Sequence, residues 1–245
     1  MVNGLAALND GGMQAVKGVD LAVRSGEIVG IAGVSGNGQR EFVEALIGQR
    51  PPTAGSVSVD GKPFHATRRE IRDLRVYCLP EEPLRNACLG DMSLSDNLAL
   101  RVFDVPPFSR GPWLSRARLK THAAELVAEY NVRSPGLDAP MRALSGGNVQ
   151  RAVLARELEH EANVLIAANP TFGLDLGAVA TIHAKLREAR DRGTAVLVIS
   201  EDLDELLELA DRVVVMAEGK LVYETPADSA DIHVIGRHMA GLHSE

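Results

Sequence analysis

Apolar positions along the chain follow two different periods. Between residues 14 and 23 they occupy Val16, Val19, Leu21 and Val23, a partly alternating pattern that predicts an edge strand. Ser25-Gly26 then turns the chain, and the apolar run at 27–32, closed by Gly33, predicts a buried strand. A glycine-rich loop at 33–38 leads into a predicted helix at 41–47, stopped by Gly48. Ser56-Val57-Ser58-Val59 alternates before Asp60-Gly61, a hairpin signal, and residues 75–79 give a further strand.

The middle of the chain changes character. Pro106-Pro107, Gly111-Pro112 and Ser134-Pro135-Gly136 punctuate residues 83–140, and Leu119, Ala123, Leu126, Val127 and Tyr130 recur among them at helical spacing. This stretch reads as a helical insertion into an α/β core. Residues 148–159 predict a second helix, with Val149, Val153, Leu154 and Leu158 on one face. The last third alternates strand (164–167), helix (177–192), strand (195–200), helix (203–210) and strand (212–216), and Glu218-Gly219 turns into a final strand at 220–223. Such alternation implies a parallel sheet with crossover helices. The tail at 228–245 is polar around a small apolar patch at 232–235, and reads either as a short docking helix or as a frayed end.

Composition narrows the function classes. With 45% hydrophobic and 24% charged residues, 245 residues support one large domain or a core with an insertion. A net charge of -7 repels nucleic-acid phosphates, so no nucleic-acid partner is expected. Aromatics at 4% offer no stacking platform for single strands or sugar rings. Cys78 and Cys88 sit in no metal-ligand spacing and read as incidental small apolar residues in a reducing compartment; no metal site is expected. No run approaches the ~20 apolar residues of a membrane span, and no signal-peptide pattern opens the chain. A cytoplasmic protein is expected, one that reaches a membrane only through a partner.

Gly33-Val34-Ser35-Gly36-Asn37-Gly38 lies between a strand and a helix, as a phosphate-binding loop requires. Its glycines allow backbone N–H groups to turn inward, and the following helix presents its positive end to an anion. Lysine and a hydroxyl residue should follow; Gln39 and Arg40 stand there instead. The lysine neutralises the outer phosphates and the hydroxyl helps hold Mg²⁺. Each charge-assisted bond lost costs roughly 1.5–3 kcal/mol, so nucleotide binding is expected to weaken by a factor of hundreds unless Arg40 compensates. Taken alone, the loop also fits a glycine-rich connection with no phosphate.

The strand at 164–167 should end in an Asp-Glu pair that anchors Mg²⁺ and polarises water. Ala168 and Asn169 follow it, and neither does acid–base chemistry. After the strand at 195–200 a histidine facing the γ-phosphate should follow; Glu201 would repel that phosphate, though Glu201-Asp202 also fits the start of the next helix. By contrast Leu144-Ser145-Gly146-Gly147-Asn148-Val149-Gln150-Arg151 leads straight into a helix with nothing missing. Ser145 suits an N-terminal cap, and Gly146 and Gly147 let backbone N–H groups approach a phosphate closely.

Over nearly its whole length the chain resembles the nucleotide-binding domain of ABC transporters. The matching elements are the phosphate loop at residues 33–40, the signature at 144–151, the Walker B remnant at 164–169 and the D-loop around Asp175. The Q-loop glutamine position holds Glu81, and the adenine-stacking aromatic expected upstream of the phosphate loop is absent, the first aromatic being Phe42. More narrowly, Gly36-Asn37-Gly38-Gln39, Leu144-Ser145-Gly146-Gly147-Asn148, residues 166–171, residues 200–205 and Pro106-Pro107-Phe108-Ser109-Arg110-Gly111 resemble the C-terminal half of tandem ATPases of simple-sugar and nucleoside importers, nearer the nucleoside branch. Arg40 departs from that family, which usually keeps threonine there.

The resemblance implies an α/β P-loop NTPase core with a parallel sheet, an N-terminal antiparallel β part and a helical insertion. It implies one nucleotide-binding domain over 1–245, with a RecA-like core at about 1–82 and 160–245 and a helical subdomain at about 83–159. Two such domains pack head to tail, each ATP lying between one domain's phosphate loop and the other's signature. The signature, Ser145 and Gly147 foremost, would therefore cap ATP bound to a partner ATPase half, and Asp175 would cross to that site. The chain's own loop would hold ATP weakly without hydrolysis, or stay empty, and Mg²⁺ would belong to the partner site. Partners implied are the fully equipped ATPase half, transmembrane permease subunits touching residues 81–97, and indirectly a substrate-binding protein. The location implied is the cytoplasmic face of the plasma membrane. A self-sufficient hydrolase conflicts with Gln39, Ala168, Asn169 and Glu201; a non-transport regulatory or structural module is the alternative.

Overall fold

The structure is a computed structural model that describes residues 1–159 and 161–241. In chain order come β1 (Val2–Leu8), β2 (Gln14–Leu21), β3 (Ile28–Ala32), α1 (Gln39–Leu46), β4 (Ala54–Val59), β5 (Lys62–Phe64), α2 (Arg68–Asp73) and β6 (Val76–Leu79). Then follow α3 (Pro83–Asn86), α4 (Leu94–Leu98), β7 (Ser109–Arg110), β8 (Trp113–Leu114), α5 (Arg116–Glu129) and α6 (Gly146–Leu158). The last part holds β9 (Val164–Ala168), α7 (Leu176–Asp191), β10 (Ala195–Ser200), α8 (Leu203–Leu209), β11 (Arg212–Ala217), β12 (Lys220–Pro226) and α9 (Ile232–Met239). The chain divides into two compact units: Met1–Cys78, Ala162–Asn169 and the chain from Leu186 onward form the first, and Leu79–Glu161 with Pro170–Lys185 form the second.

The first unit carries two sheets. One is antiparallel in the order β2-β1-β4-β5, so the expected edge strand is indeed an edge. Its partner β1 has no clean alternation: Gly4 takes φ 57° and register shifts follow, so Leu5, Ala6 and Ala7 are all buried in succession. Asp60 and Gly61, at φ 50° and 72°, close the predicted hairpin between β4 and β5. The other sheet runs β12-β11-β3-β10-β9-β6. Here β3 lies parallel between β10 and β11, and every residue of Ile28–Ala32 is buried, which is why the stretch reads as a continuous apolar run. The sheet is not wholly parallel as the alternation implied. Glu218-Gly219 is a two-residue turn, which joins only antiparallel neighbours, so β12 returns antiparallel along β11. In the tail α9 forms, capped by the Asp231 side chain; residues 242–245 of that reading lie outside the described residues.

The second unit is mostly helical. Helix α5 buries Leu119, Ala123 and Leu126 at the predicted spacing. Helix α6 departs from its expected single apolar face: Gln150, Arg156 and Glu157 are buried along with Val149, Val153, Leu154 and Leu158. Polar groups tolerate this because each is partnered. Gln150 Nε2 donates to the Pro170 carbonyl (2.5 Å). The Glu157 carboxylate accepts from Arg101 Nη2 (2.6 Å) and Arg156 Nε (2.8 Å). Burial by itself would push this carboxyl up, but the two guanidiniums outweigh burial and hold it below the usual carboxylate range. Arg156 also donates to the Ala87 carbonyl (2.8 Å), and buried Asn97 pins the following loop through Leu89 N (2.8 Å) and the Leu89, Met92 and Ser93 carbonyls.

Two outcomes follow from this cluster. Glu157→Ala leaves buried cationic charge uncompensated and is expected to cost about 3–5 kcal/mol in a urea unfolding titration, with Glu157→Gln costing less. Burial pushes the Cys88 thiol up to about 11, with Glu157 adding to the rise against Arg156. Iodoacetamide at pH 8 should therefore label Cys88 about two orders of magnitude more slowly in the folded chain than in urea.

Candidate functional site

The phosphate loop leaves the C-terminal end of β3, at the edge where the parallel strands end and where ligands bind in open α/β folds. Two neighbouring strand ends lie in register with it: Ser200 of β10 opposite Ala32, and Ala168 of β9 opposite Ile199. Residues 33–40, Ala168-Asn169 and Glu201 thus issue from one edge of the first unit. Glu81, the signature and Asp175 belong to the second unit.

Gly38 fixes the loop's exit. It takes φ 100° as the residue before α1, and a side chain there would run into the Ala15 carbonyl. Asn37 ties the loop to the β11–β12 turn: its Oδ1 accepts from Glu218 N (2.9 Å) and its carbonyl from Gly219 N (2.9 Å). Its Nδ2 donates to the Val34 carbonyl (3.1 Å). Ser35 and Gly36 form the exposed crown, with Gly36 at φ 87°.

Gln39 folds back across this loop. Its Nε2 donates to the Val34 carbonyl (3.1 Å) and lies hard against Gly33. Arg40 is paired on its own helix. Its guanidinium points along α1, with Nε donating to Glu44 (2.8 Å) and Nη2 standing 3.6 Å from Asp10. Arg50 closes the group, bridging Asp10 (2.6 Å) and Glu44 (2.7 Å) and donating to the Leu8 carbonyl (2.7 Å). Hydrogen bonding to Glu44 raises the Arg40 guanidinium's affinity for its proton, and bonding to Arg50 lowers the Asp10 carboxyl below its ordinary value. Arg40 is thereby engaged by carboxylates along α1.

Two of the strand-end positions, Ala168 and Asn169, turn inward. Ala168 is buried in β9. Asn169 adopts φ 45°, donates its N–H to the Ile199 carbonyl (2.7 Å), and accepts at Oδ1 from Glu201 N (3.3 Å). Glu201 is exposed, and Asp202, one residue later, caps α8 by accepting from Asp204 N and Glu205 N. Ser200 Oγ donates to buried Glu205 (2.6 Å). Position 39 carries no lysine, position 40 no hydroxyl, and positions 168 and 169 no acidic pair, so the groups that ordinarily hold Mg²⁺ and the outer phosphates of a nucleotide are missing at these places. Among the described residues no cluster of His, Cys, Asp and Glu has metal-binding geometry.

In the second unit the signature opens a helix of thirteen residues. Ser145 occupies the N-cap position but does not cap as expected. Its side chain bonds no backbone N–H; its Oγ instead accepts from Asn148 Nδ2 (2.8 Å), while Asn148 Oδ1 accepts from Arg133 N (2.7 Å). Asn148 and Val149 donate to the Ser145 carbonyl, and no carbonyl of the helix can reach the N–H groups of Gly146 and Gly147. Leu144 is buried beneath them, and Leu174 would stand 3.3 Å from a side chain at Gly147. Asp175 caps α7 by accepting from Ala178 N (3.0 Å), a bond that holds its carboxyl below the usual range. Glu81 is exposed, its carbonyl accepting from Asn86 Nδ2 (2.6 Å).

Sequence reasoning missed the ion group of Asp10, Glu44 and Arg50. Only Glu44 lies at a helical spacing from Arg40 that sequence alone could read.

The architecture is that of an ATP-binding cassette. Residues 16–172 match the ABC transporter family, and the chain belongs to it. It is similar to a glucose import ATP-binding protein of Haloferax volcanii, 42% identical over 97% of this chain and 44% of that protein. It is similar to a guanosine import ATP-binding protein of Bacillus subtilis, 36% identical over 98% of this chain and 47% of that protein. A nucleoside import ATP-binding protein of Lactococcus lactis is 42% identical over 86% of this chain and 42% of its own length. The chain thus spans about half the length of the curated relatives it matches. A dimeric ATP-binding cassette in a post-hydrolysis state bound to ADP and Pi shares the fold, with TM-score 0.76 at 20% identity over 92% of this chain and 97% of that one.

The loop geometry makes a direct prediction. Replacing Gln39 with Lys and Arg40 with Thr together should raise the affinity for labelled ATP, in equilibrium binding, by about 100-fold, because two charge-assisted contacts are restored. The double substitution should not restore turnover, since Ala168 and Asn169 remain.

Proposed function

We propose that this chain is the half of an import ATPase that completes an ATP site belonging mainly to a partner domain. The observation that carries the reading is a contrast in how polar groups are spent. In the first unit Gln39, Arg40 and Asn169 bond to their own surroundings. At the start of α6 the Gly146 and Gly147 N–H groups remain open toward an anion, on a helix long enough to carry a dipole.

On this reading Ser145, Gly146, Gly147 and Asn148 cap the γ-phosphate of ATP held by a fully equipped ATPase half, either an N-terminal domain of a longer protein or a second polypeptide. Asp175 reaches the same site. The chain's own loop, residues 33–40, holds nucleotide weakly or not at all, and Mg²⁺ belongs to the partner site. The two compact units serve as the core and helical subdomain of one nucleotide-binding domain. Residues 81–97 contact permease subunits at the cytoplasmic face of the plasma membrane, and a substrate-binding protein delivers cargo from the other side. The names of the similar proteins support nucleosides or simple sugars as that cargo.

The isolated chain should show no Mg-ATP turnover above background. Supplied with the fully equipped half, the pair should hydrolyse ATP, and Ser145→Arg should abolish that activity while leaving the chain folded. Robust turnover by the isolated chain, lost on substitution of Gly36 or Gly38, would overturn the reading.

A further inference from the structure

Trp113 is the chain's one tryptophan, and it is 79% exposed. It stands on the hairpin formed by β7 and β8, directly opposite Arg110 in the antiparallel register, while Leu114 pairs with Ser109 on the other face. Paired residues project from the same face of a hairpin, so indole and guanidinium share one side.

The hairpin is not a loose excursion. Ser115 N donates to the Phe108 carbonyl (2.8 Å), and Arg118 Nη1 donates to the Pro107 carbonyl (3.1 Å). The Phe108 ring lies 4.9 Å from that of His122, whose Nε2 is 3.1 Å from the Glu159 carboxylate at the end of α6. An exposed tryptophan held this firmly is displayed by the fold.

Its electrostatic setting is unlike the rest of the chain. Between Asp104 and Glu125 there is no acidic residue, while Arg110, Arg116, Arg118 and Lys120 are all basic, in a protein of net charge -7. Lys120 is paired with Asp138 (2.6 Å) and Arg116 stands 3.7 Å from Asp96. Arg118 bonds only a carbonyl, and Arg110 has no carboxylate partner among the described residues. One exposed indole on the same face as a guanidinium, in a stretch with four cations and no acid, is the composition of an interfacial lipid anchor, and it lacks the several apolar side chains of a protein–protein core. The acidic remainder would be repelled by an anionic surface and would orient the hairpin toward it.

We propose that residues 109–114 rest on an anionic lipid surface, with the Trp113 indole at the level of the headgroups and Arg110 and Arg118 facing lipid phosphates. This contact stands whether or not the signature completes a partner's ATP site.

Because Trp113 is alone, its fluorescence reports the contact directly. Phosphatidylglycerol–phosphatidylcholine vesicles added to the whole chain at low salt should shift its emission to the blue. Pure phosphatidylcholine vesicles and inorganic phosphate should not. Salt should reverse the shift. Neutralising Arg110 and Arg118 together to Gln should weaken partitioning by about 10- to 30-fold. Trp113→Ala, with circular dichroism unchanged, should weaken co-sedimentation with the anionic vesicles. The proposal fails if no shift occurs, if neutral vesicles or free phosphate give the same shift, or if co-sedimentation survives these substitutions. A shift seen only with permease-containing membranes, and not with protein-free vesicles, would replace the lipid with a protein partner.

Discussion

The architecture of the first unit depends on β3 being sealed. Five residues, Ile28–Ala32, lie buried between β10 and β11, hydrogen-bonded on both sides. A strand enclosed in this way has no polar side chain to offer along its length. Chemistry can appear only where the chain leaves the sheet, at the edge shared with Ala168 and Ser200. This strand register therefore sets the shape of the glycine-rich loop independently of the side chains at its far end. Shape and chemistry separate because different residues control them. Gly38 and Asn37 fix the backbone path through the Ala15 carbonyl and the β11–β12 turn. Residues 39 and 40 decide what the loop can hold.

Arg50 governs how residue 40 behaves. It is largely buried and gathers Asp10, Glu44 and the Leu8 carbonyl, so two carboxylates stand ready beside the first turns of α1. An arginine at position 40 finds these acids at contact distance, whereas a threonine would reach neither. The same group fastens the β1–β2 turn to α1. Much of the group is exposed, so its value lies less in net stability than in direction: it turns the Arg40 guanidinium along the helix and away from the crown of the loop.

Local signals were legible where one residue type has one use. The run at 27–32, the hairpin at Asp60-Gly61, the spacing in α5 and the glycines of the two loops all carried their own geometry in the sequence. Three features were not legible, each for a physical reason. Bulges at Gly4 and beyond erase the period of β1. The full burial of α6 depends on Arg101, more than fifty positions away from Glu157, so a helix with charges on two faces looked amphipathic. Ser145 was read as a backbone cap from its type, but Asn148 reaches its hydroxyl first. At the candidate site the sequence identified which groups were absent; it could not say where their replacements point, because side-chain direction is settled by partners remote in the chain.

Those directions form a pattern. A substituted site that still served its ligand would leave its remaining donors facing the cavity, since a donor spent on the protein must be freed before it can bind a phosphate. In the first unit three of the replacements bond to their own surroundings: Gln39 Nε2 donates to the Val34 carbonyl, Arg40 Nε to Glu44, and Asn169 Oδ1 accepts from Glu201 N, while Glu201 itself is exposed. The second unit shows the opposite economy. Asn148 satisfies the Ser145 hydroxyl and the Arg133 N–H together, and so fixes the turn without using the N–H groups of Gly146 and Gly147. Selection for a connection alone would not distinguish the two. A turn kept rigid with its donors unspent, in a chain whose other loop bonds inward, is the contrast on which the proposed division of labour between two domains rests.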